Sequence, residues 1–132
     1  PGGVICLYSA WNYYNLTTQI PNGFYVAIEK HRKVVAPKMT GIILCYWAEK
    51  YCSMGVEEVE IANHRVKIFC IEKCVCDAIK FRNKIGTDVA VEILSNYLHR
   101  KDRNISLLMD FAKQMRVIST IQPYLEMGLY RL

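Results

Sequence analysis

The chain has 132 residues, 52% of them hydrophobic and 22% charged, and 17 Lys and Arg against 12 Asp and Glu leave a formal net charge of +5. That balance excludes a disordered polymer, and the length suits a single domain, residues 1–132, able to bury about two thirds of the surface its unfolded form exposes. No apolar run reaches the roughly 18 residues needed to span a bilayer, and no basic segment with a cleavage site opens the chain, so a soluble, cytoplasmic protein is expected.

In chain order, Val4 to Leu16 reads as a helix with Ile5, Tyr8 and Trp11 on its buried side, followed by a turn at Ile20-Pro21-Asn22-Gly23. The aromatics Tyr8, Trp11, Tyr13 and Tyr14 have no cation near them in sequence, so packing explains them better than base stacking. Phe24 to Glu29 is rich in β-formers and predicts a strand, with a basic loop from Lys30 to Pro37 after it. Ile42 to Trp47 predicts a second strand, and its unbroken apolar run predicts burial on both faces. Val56 to Ile61 and Arg65 to Cys70 alternate with period two around Ala62-Asn63-His64, which predicts a hairpin.

From Ile71 the period becomes 3.6. A helix is expected from Ile71 to about Lys84, stopped by Gly86, with Lys73, Asp77, Lys80 and Lys84 on a solvent face where Asp77 and Lys80 can pair. A second helix runs from Thr87, as its cap, to Arg100, and Asn104 caps a third striped by Ile105, Leu108, Phe111, Ala112 and Met115. A fourth begins near Val117 and meets Pro123, where it should kink or restart. The expected class is α+β: an N-terminal helix, a small mixed or antiparallel sheet of about four strands, then three or four helices.

Chemistry is harder to find. The seven glycines form no phosphate-binding loop, so no nucleotide cofactor is indicated. His31, His64 and His99 fall in a basic loop, a hairpin turn and a helix end, which suits solvent better than catalysis. Six cysteines stand at 6, 45, 52, 70, 74 and 76, mostly inside apolar runs. They read as reduced packing residues. Cys70, Cys74 and Cys76 with His64 lack the second ligand pair of a zinc site, and no metal is expected. Positive charge clusters at Lys30, Arg32, Lys33 and Lys38, at Arg65, Lys67, Lys80, Arg82 and Lys84, and at Arg100, Lys101 and Arg103, against an acidic patch at Glu57, Glu58 and Glu60. Solvated faces account for such clusters, with a nucleic-acid surface as the sharper alternative. Glu72, Asp77 and Asp88 are the acidic residues that a nuclease or nucleotidyltransferase would need gathered in one pocket.

Three phrases carry a family likeness: Gly2-Gly-Val-Ile-Cys-Leu-Tyr-Ser-Ala, Asn15-Leu-Thr-Thr-Gln-Ile-Pro and, above all, Ile71-Glu-Lys-Cys-Val-Cys-Asp-Ala-Ile-Lys-Phe-Arg-Asn-Lys-Ile-Gly. Together with Asp88-Val-Ala-Val-Glu-Ile-Leu and Pro123-Tyr-Leu-Glu, they make the chain resemble the C-terminal domain of AbiEi-type antitoxins, the autorepressors of type IV (abortive infection) toxin–antitoxin systems. The resemblance implies a non-enzymatic, cytoplasmic regulatory domain in phage defence, without catalytic residues, cofactor or metal. In that family a winged-helix DNA-binding domain lies upstream, which fits a chain that opens Pro1-Gly2-Gly3 and has no charge before Glu29, read here as a fragment. Implied partners are operator DNA, mainly through that upstream domain, and a nucleotidyltransferase-like toxin antagonised without an obligatory complex. Cys74 and Cys76 depart from the Thr, Val or Ile expected in the family at these positions. Lys80, Arg82, Lys84, Arg100, Lys101 and Arg103 are the candidate DNA contacts, although Arg82 lies about 200° around a helix from Lys80. The alternatives are a nuclease- or nucleotidyltransferase-related enzyme, or an interaction or dimerisation module.

Overall fold

The computed structural model describes residues 3–31 and 41–127. The chain folds as α+β, with a five-stranded mixed sheet in the order β3-β2-β1-β5-β4. β1 is Val4–Ile5, β2 Phe24–Glu29, β3 Ile42–Trp47, β4 Val56–Ile61 and β5 His64–Phe69. β1 pairs antiparallel with β2 and parallel with β5, β2 pairs parallel with β3, and β4 pairs antiparallel with β5. The fifth strand is the one that the sequence hides. Val4 and Ile5 read as the start of a helix, but their backbones bridge the two halves of the sheet, so the helix α1 spans only Leu7–Tyr13. Two residues give no period to read, and their apolar side chains suit a helix face as well as the core.

β2 and β3 fall where the alternating and apolar runs put them, and so does the hairpin of β4 and β5. Ala62 and Asn63 form its two-residue turn with φ of 52° and 66°, the left-handed pair that a tight hairpin needs. The expectation for β3 fails in one respect: it is an edge strand, half-buried, with Tyr46 exposed, because an apolar run alone does not distinguish the centre of a sheet from its rim. A short helix α2, Glu49–Ser53, follows β3. The basic loop predicted at Lys30 to Pro37 lies, from Arg32 onward, outside the described residues.

The helical half begins with α3, Ile71–Lys80. The single helix expected to reach Lys84 is broken at Phe81 and resumes as α4, Arg82–Ile85. Gly86 then takes φ of 100°, a conformation open to a residue without Cβ. Gly86, rather than Thr87, occupies the cap of α5, Thr87–Leu98, and that helix stops short of Arg100. Asn104 caps α6, Ile105–Gln114, as predicted, its side chain accepting from the Leu107 N–H at 3.0 Å. α7, Ile118–Glu126, carries Pro123 inside it as one helix, without a restart.

α3 is the axis of the fold. It packs against α1, α5 and α6, while Phe69 of β5 and Trp47 of β3 lie against its Lys73. Every residue from Ile71 to Ile79 is buried, so the surface helix read from its charged positions is in fact the central one. Gly55, at φ 74°, sits so close to it that an added Cβ would lie 3.1 Å from Cys70 Sγ, Lys73 Cβ and Phe111 Cζ alike. No helix among the described residues is long and apolar enough to cross a membrane.

Candidate functional site

Among the described residues, the buried charged side chains Glu72, Lys73 and Asp77 all belong to α3. Lys73 and Asp77 lie one turn apart, at 0% and 1% side-chain exposure, and Lys73 Nζ donates to both carboxylate oxygens at 2.9 and 3.1 Å. The same ammonium sits 3.8 Å from the Phe69 ring centroid and 4.6 Å from that of Trp47, where the ring faces offer it negative potential in place of water. Burial pushes the Asp77 carboxyl up to about 6 against the downward pull of Lys73. The pairing expected between Asp77 and Lys80 is not made, because α3 turns Asp77 inward toward Lys73 and leaves Lys80 at the rim. Glu72 accepts from the Tyr97 hydroxyl at 2.6 Å, and that hydroxyl in turn accepts from the Asn104 N–H at 2.7 Å. Together these bonds tie α3, α5 and the start of α6 into one polar relay. No buried side-chain nitrogen or oxygen among the described residues lacks a partner.

The six candidate cations separate into two groups at the two ends of α5. Lys80, Arg82 and Lys84 precede it and Arg100, Lys101 and Arg103 follow it, so the 12 residues of the helix hold the groups apart by about 18 Å along its axis. Within the first group Lys80 Nζ lies 3.6 Å from the Tyr51 ring centroid and Lys84 Nζ 5.7 Å from that of Phe81, while Arg82 turns back to donate to the Ile79 carbonyl at 2.8 Å. In the second group Arg100 is engaged in structure: it grips Asp102 at 2.9 and 3.0 Å and donates to the Tyr14 carbonyl at 2.9 Å. That bond holds the end of α1 to the end of α5. Arg103 closes the same turn by donating to the Arg100 carbonyl at 2.8 Å, and Lys101 is exposed.

The other chemical candidates disperse. Glu72 is bound to Tyr97, Asp77 to Lys73, and Asp88 is exposed in the first turn of α5. His31, His64 and His99 all face solvent. The six cysteines are free thiols. Cys6, Cys70, Cys74 and Cys76 are buried, as packing residues should be, and burial pushes the thiols up, Cys70 to about 11. Cys45 moves the other way, because the Cys6 thiol hydrogen-bonds to it. No group of three or more His, Cys, Asp or Glu among the described residues is placed to hold a metal ion.

Of the N-terminal aromatics, Trp11 is fully buried and donates from Nε1 to the Cys74 carbonyl at 2.8 Å, and Tyr14 donates to the Phe69 carbonyl at 2.8 Å. They anchor α1 to α3 and β5. A small cleft of about 170 Å³ beside them is lined by Tyr8, Gln19, Ile20, Pro21, Asn22 and Tyr25, with no charged side chain.

Sequence reasoning misses the aromatic residues that meet the first cation group. Trp47 stacks on Phe81 with centroids 5.7 Å apart at 18°, and Tyr51 lies beneath Lys80. These rings come from β3, α2 and the break after α3, and the fold rather than any sequence period brings them to the lysines, so no spacing rule connects them. No protein-family model matches the chain, and no curated protein sequence is significantly similar to it.

Proposed function

We propose that this chain is a non-enzymatic antitoxin and regulatory domain of a type IV toxin–antitoxin autorepressor, working in the cytoplasm against a nucleotidyltransferase-like toxin and supporting operator binding by an upstream DNA-binding domain. The observation that carries the reading is the resemblance centred on Ile71 to Gly86. Its support from geometry is that this segment forms the packing axis: its acidic residues Glu72 and Asp77 each have a structural partner, Tyr97 and Lys73, and do not converge with Asp88 on a pocket. In this reading Lys80, Arg82, Lys84, Arg100, Lys101 and Arg103 are the candidate phosphate contacts, with Arg100 also holding the α1–α5 junction through the Tyr14 carbonyl.

Co-expression of the full-length protein with the toxin encoded beside it tests the antitoxin role: restored growth is expected, and unrelieved toxicity would overturn it. For the phosphate contacts, a Lys80→Ala, Arg82→Ala, Lys84→Ala variant should flatten the salt dependence of operator binding by about 0.9 in slope for each phosphate no longer neutralised. An unchanged slope removes these residues from the DNA interface.

A further inference from the structure

The rim built by α2, the end of α3 and α4 interleaves cations with partly exposed aromatic rings. Tyr51 is half-buried and has two ammonium groups over it, Lys80 Nζ at 3.6 Å and Lys50 Nζ at 5.6 Å from the centroid. Phe81 is half-buried, stacked on Trp47 on one side and approached by Lys84 Nζ at 5.7 Å. The Lys30 N–H donates to the Trp47 carbonyl at 2.7 Å, which brings a fourth lysine to the same end of the sheet. None of Lys30, Lys50, Lys80 and Lys84 forms an ion pair among the described residues, although Glu49 on α2 and Glu29 at the end of β2 belong to the same region. The acidic side chains Glu57, Glu58 and Glu60 are on β4, at the opposite edge of the sheet.

The geometry points to a binding site for single-stranded nucleic acid at this rim, with bases stacking on Tyr51 and Phe81 and phosphates held by Lys50, Lys80 and Lys84. Two properties select this ligand. A lysine over a ring is a resting arrangement, worth about 0.5–1 kcal/mol at an exposed site, and a phosphate can draw the ammonium outward and leave the ring face to a base. The rings are half-buried in the surface, so only bases free of a duplex stack can lie on them, whereas a duplex would meet the lysines alone. An acidic protein segment would use the cations and leave the rings idle. The site shares two lysines with the candidate phosphate contacts of the antitoxin reading, but it does not depend on antitoxin activity. A chain that binds single strands and fails to rescue growth would keep this site and lose the antitoxin role, and the reverse result would do the opposite.

The test is fluorescence anisotropy of the full chain with labelled oligothymidylate and oligouridylate of about twelve nucleotides, at several salt concentrations, beside a blunt duplex of equal length and a polyglutamate competitor. Binding is expected with a salt slope near −2 for three phosphate contacts at about −0.7 each. Tyr51→Leu should weaken it about 5- to 100-fold with the slope unchanged, and Tyr51→Phe, which keeps a stacking face, should stay within about twofold. Lys80→Gln should lower the slope by about 0.7. Thermal melts of each variant separate lost binding from lost folding. The proposal is overturned if single strands do not bind at low salt, if folded Tyr51→Leu and Phe81→Leu variants bind like the parent, if the duplex binds as tightly as the single strand, or if polyglutamate competes equally well.

Discussion

The charges of α3 and the charges of the rim that follows it belong to one stretch of sequence and live by different physics. Lys73 and Asp77 are sealed in the core and held by short bonds, whereas beyond Ile79 the chain reaches the surface, and Lys84 is exposed with an aromatic neighbour and no ion pair among the described residues. In the core a charge is tolerated only with its partner, because desolvation costs several kcal/mol per ion. At the rim water screens each charge, and an unpaired lysine is cheap enough to be kept for something outside the molecule. Stability and binding should therefore separate at Lys80.

The sharpest way to break that division is to remove one half of the buried pair. Asp77→Leu leaves the Lys73 ammonium with two rings and no carboxylate, and chemical denaturation should show a loss of about 3–5 kcal/mol. The double change Lys73→Met with Asp77→Leu removes both ions and should recover most or all of that loss. A double variant as unstable as the single one would mean that cavity formation, not the stranded charge, sets the cost.

Proton uptake tests the same pair more gently. Asp77 titrates near 6 in the folded chain because burial outweighs the pull of Lys73, against an ordinary value of 3.8. The folded state therefore holds the proton more tightly than the unfolded state. The stabilisation linked to this group is fully present below about pH 4 and is lost as pH rises through 6. A protonated Asp77 can still accept from Lys73 through its carbonyl oxygen, so Asp77→Asn imitates the low-pH form. Relative to that variant, the parent should lose stability between about pH 4 and 6 and run parallel above it. Parallel curves over the whole range would show that the folded carboxyl keeps its ordinary value of 3.8.

How much of this is legible in the sequence depends on whether the signal is local. β2, the stop at Gly86 and the Asn104 cap each follow from a few neighbouring residues and stand where those residues put them, and the hairpin does so within one residue, His64 joining β5 instead of the turn with Ala62 and Asn63. β1 escapes notice because two residues carry no period, and the edge position of β3 because only the partner strands decide it. The larger error is to send the charged face of α3 outward. Amphipathic spacing reports two kinds of face, and it takes the aromatic lid of Trp47 and Phe69 and the Tyr97 hydroxyl, all remote in sequence, to make the polar face a buried one. Charge alone selects the candidate cations, which is why Arg100, bound to Tyr14 and Asp102, stands beside Lys84 until geometry parts them.

Beside the core pair, on the side away from the rim, a relay runs from Asn104 through Tyr97 to Glu72. Tyr97→Phe removes a hydroxyl and almost no volume, yet it takes the donor from a carboxylate that is 5% exposed and the acceptor from a backbone N–H. A loss of about 2 kcal/mol in denaturant unfolding is expected, below the cost of a stranded buried ion and well above that of a surface change. A loss under about 0.5 kcal/mol would mean that water reaches Glu72 and replaces the phenol.

The smallest effect belongs to Asn104, whose side chain is exposed while its backbone is tied inward. Its carbonyl oxygen caps α6 by accepting from the Leu107 N–H, and its own N–H donates to Tyr97. Asn104→Ala takes away the first bond and leaves the second, so a loss of about 1 kcal/mol is expected, and Asn104→Asp should restore it. The same variant leaves the lysines of the rim at the far end of α5 untouched. If it altered nucleic-acid binding as well as stability, the two ends of α5 would be energetically coupled, and the division between a structural end at Arg100 and a binding end at Lys84 would have to be given up.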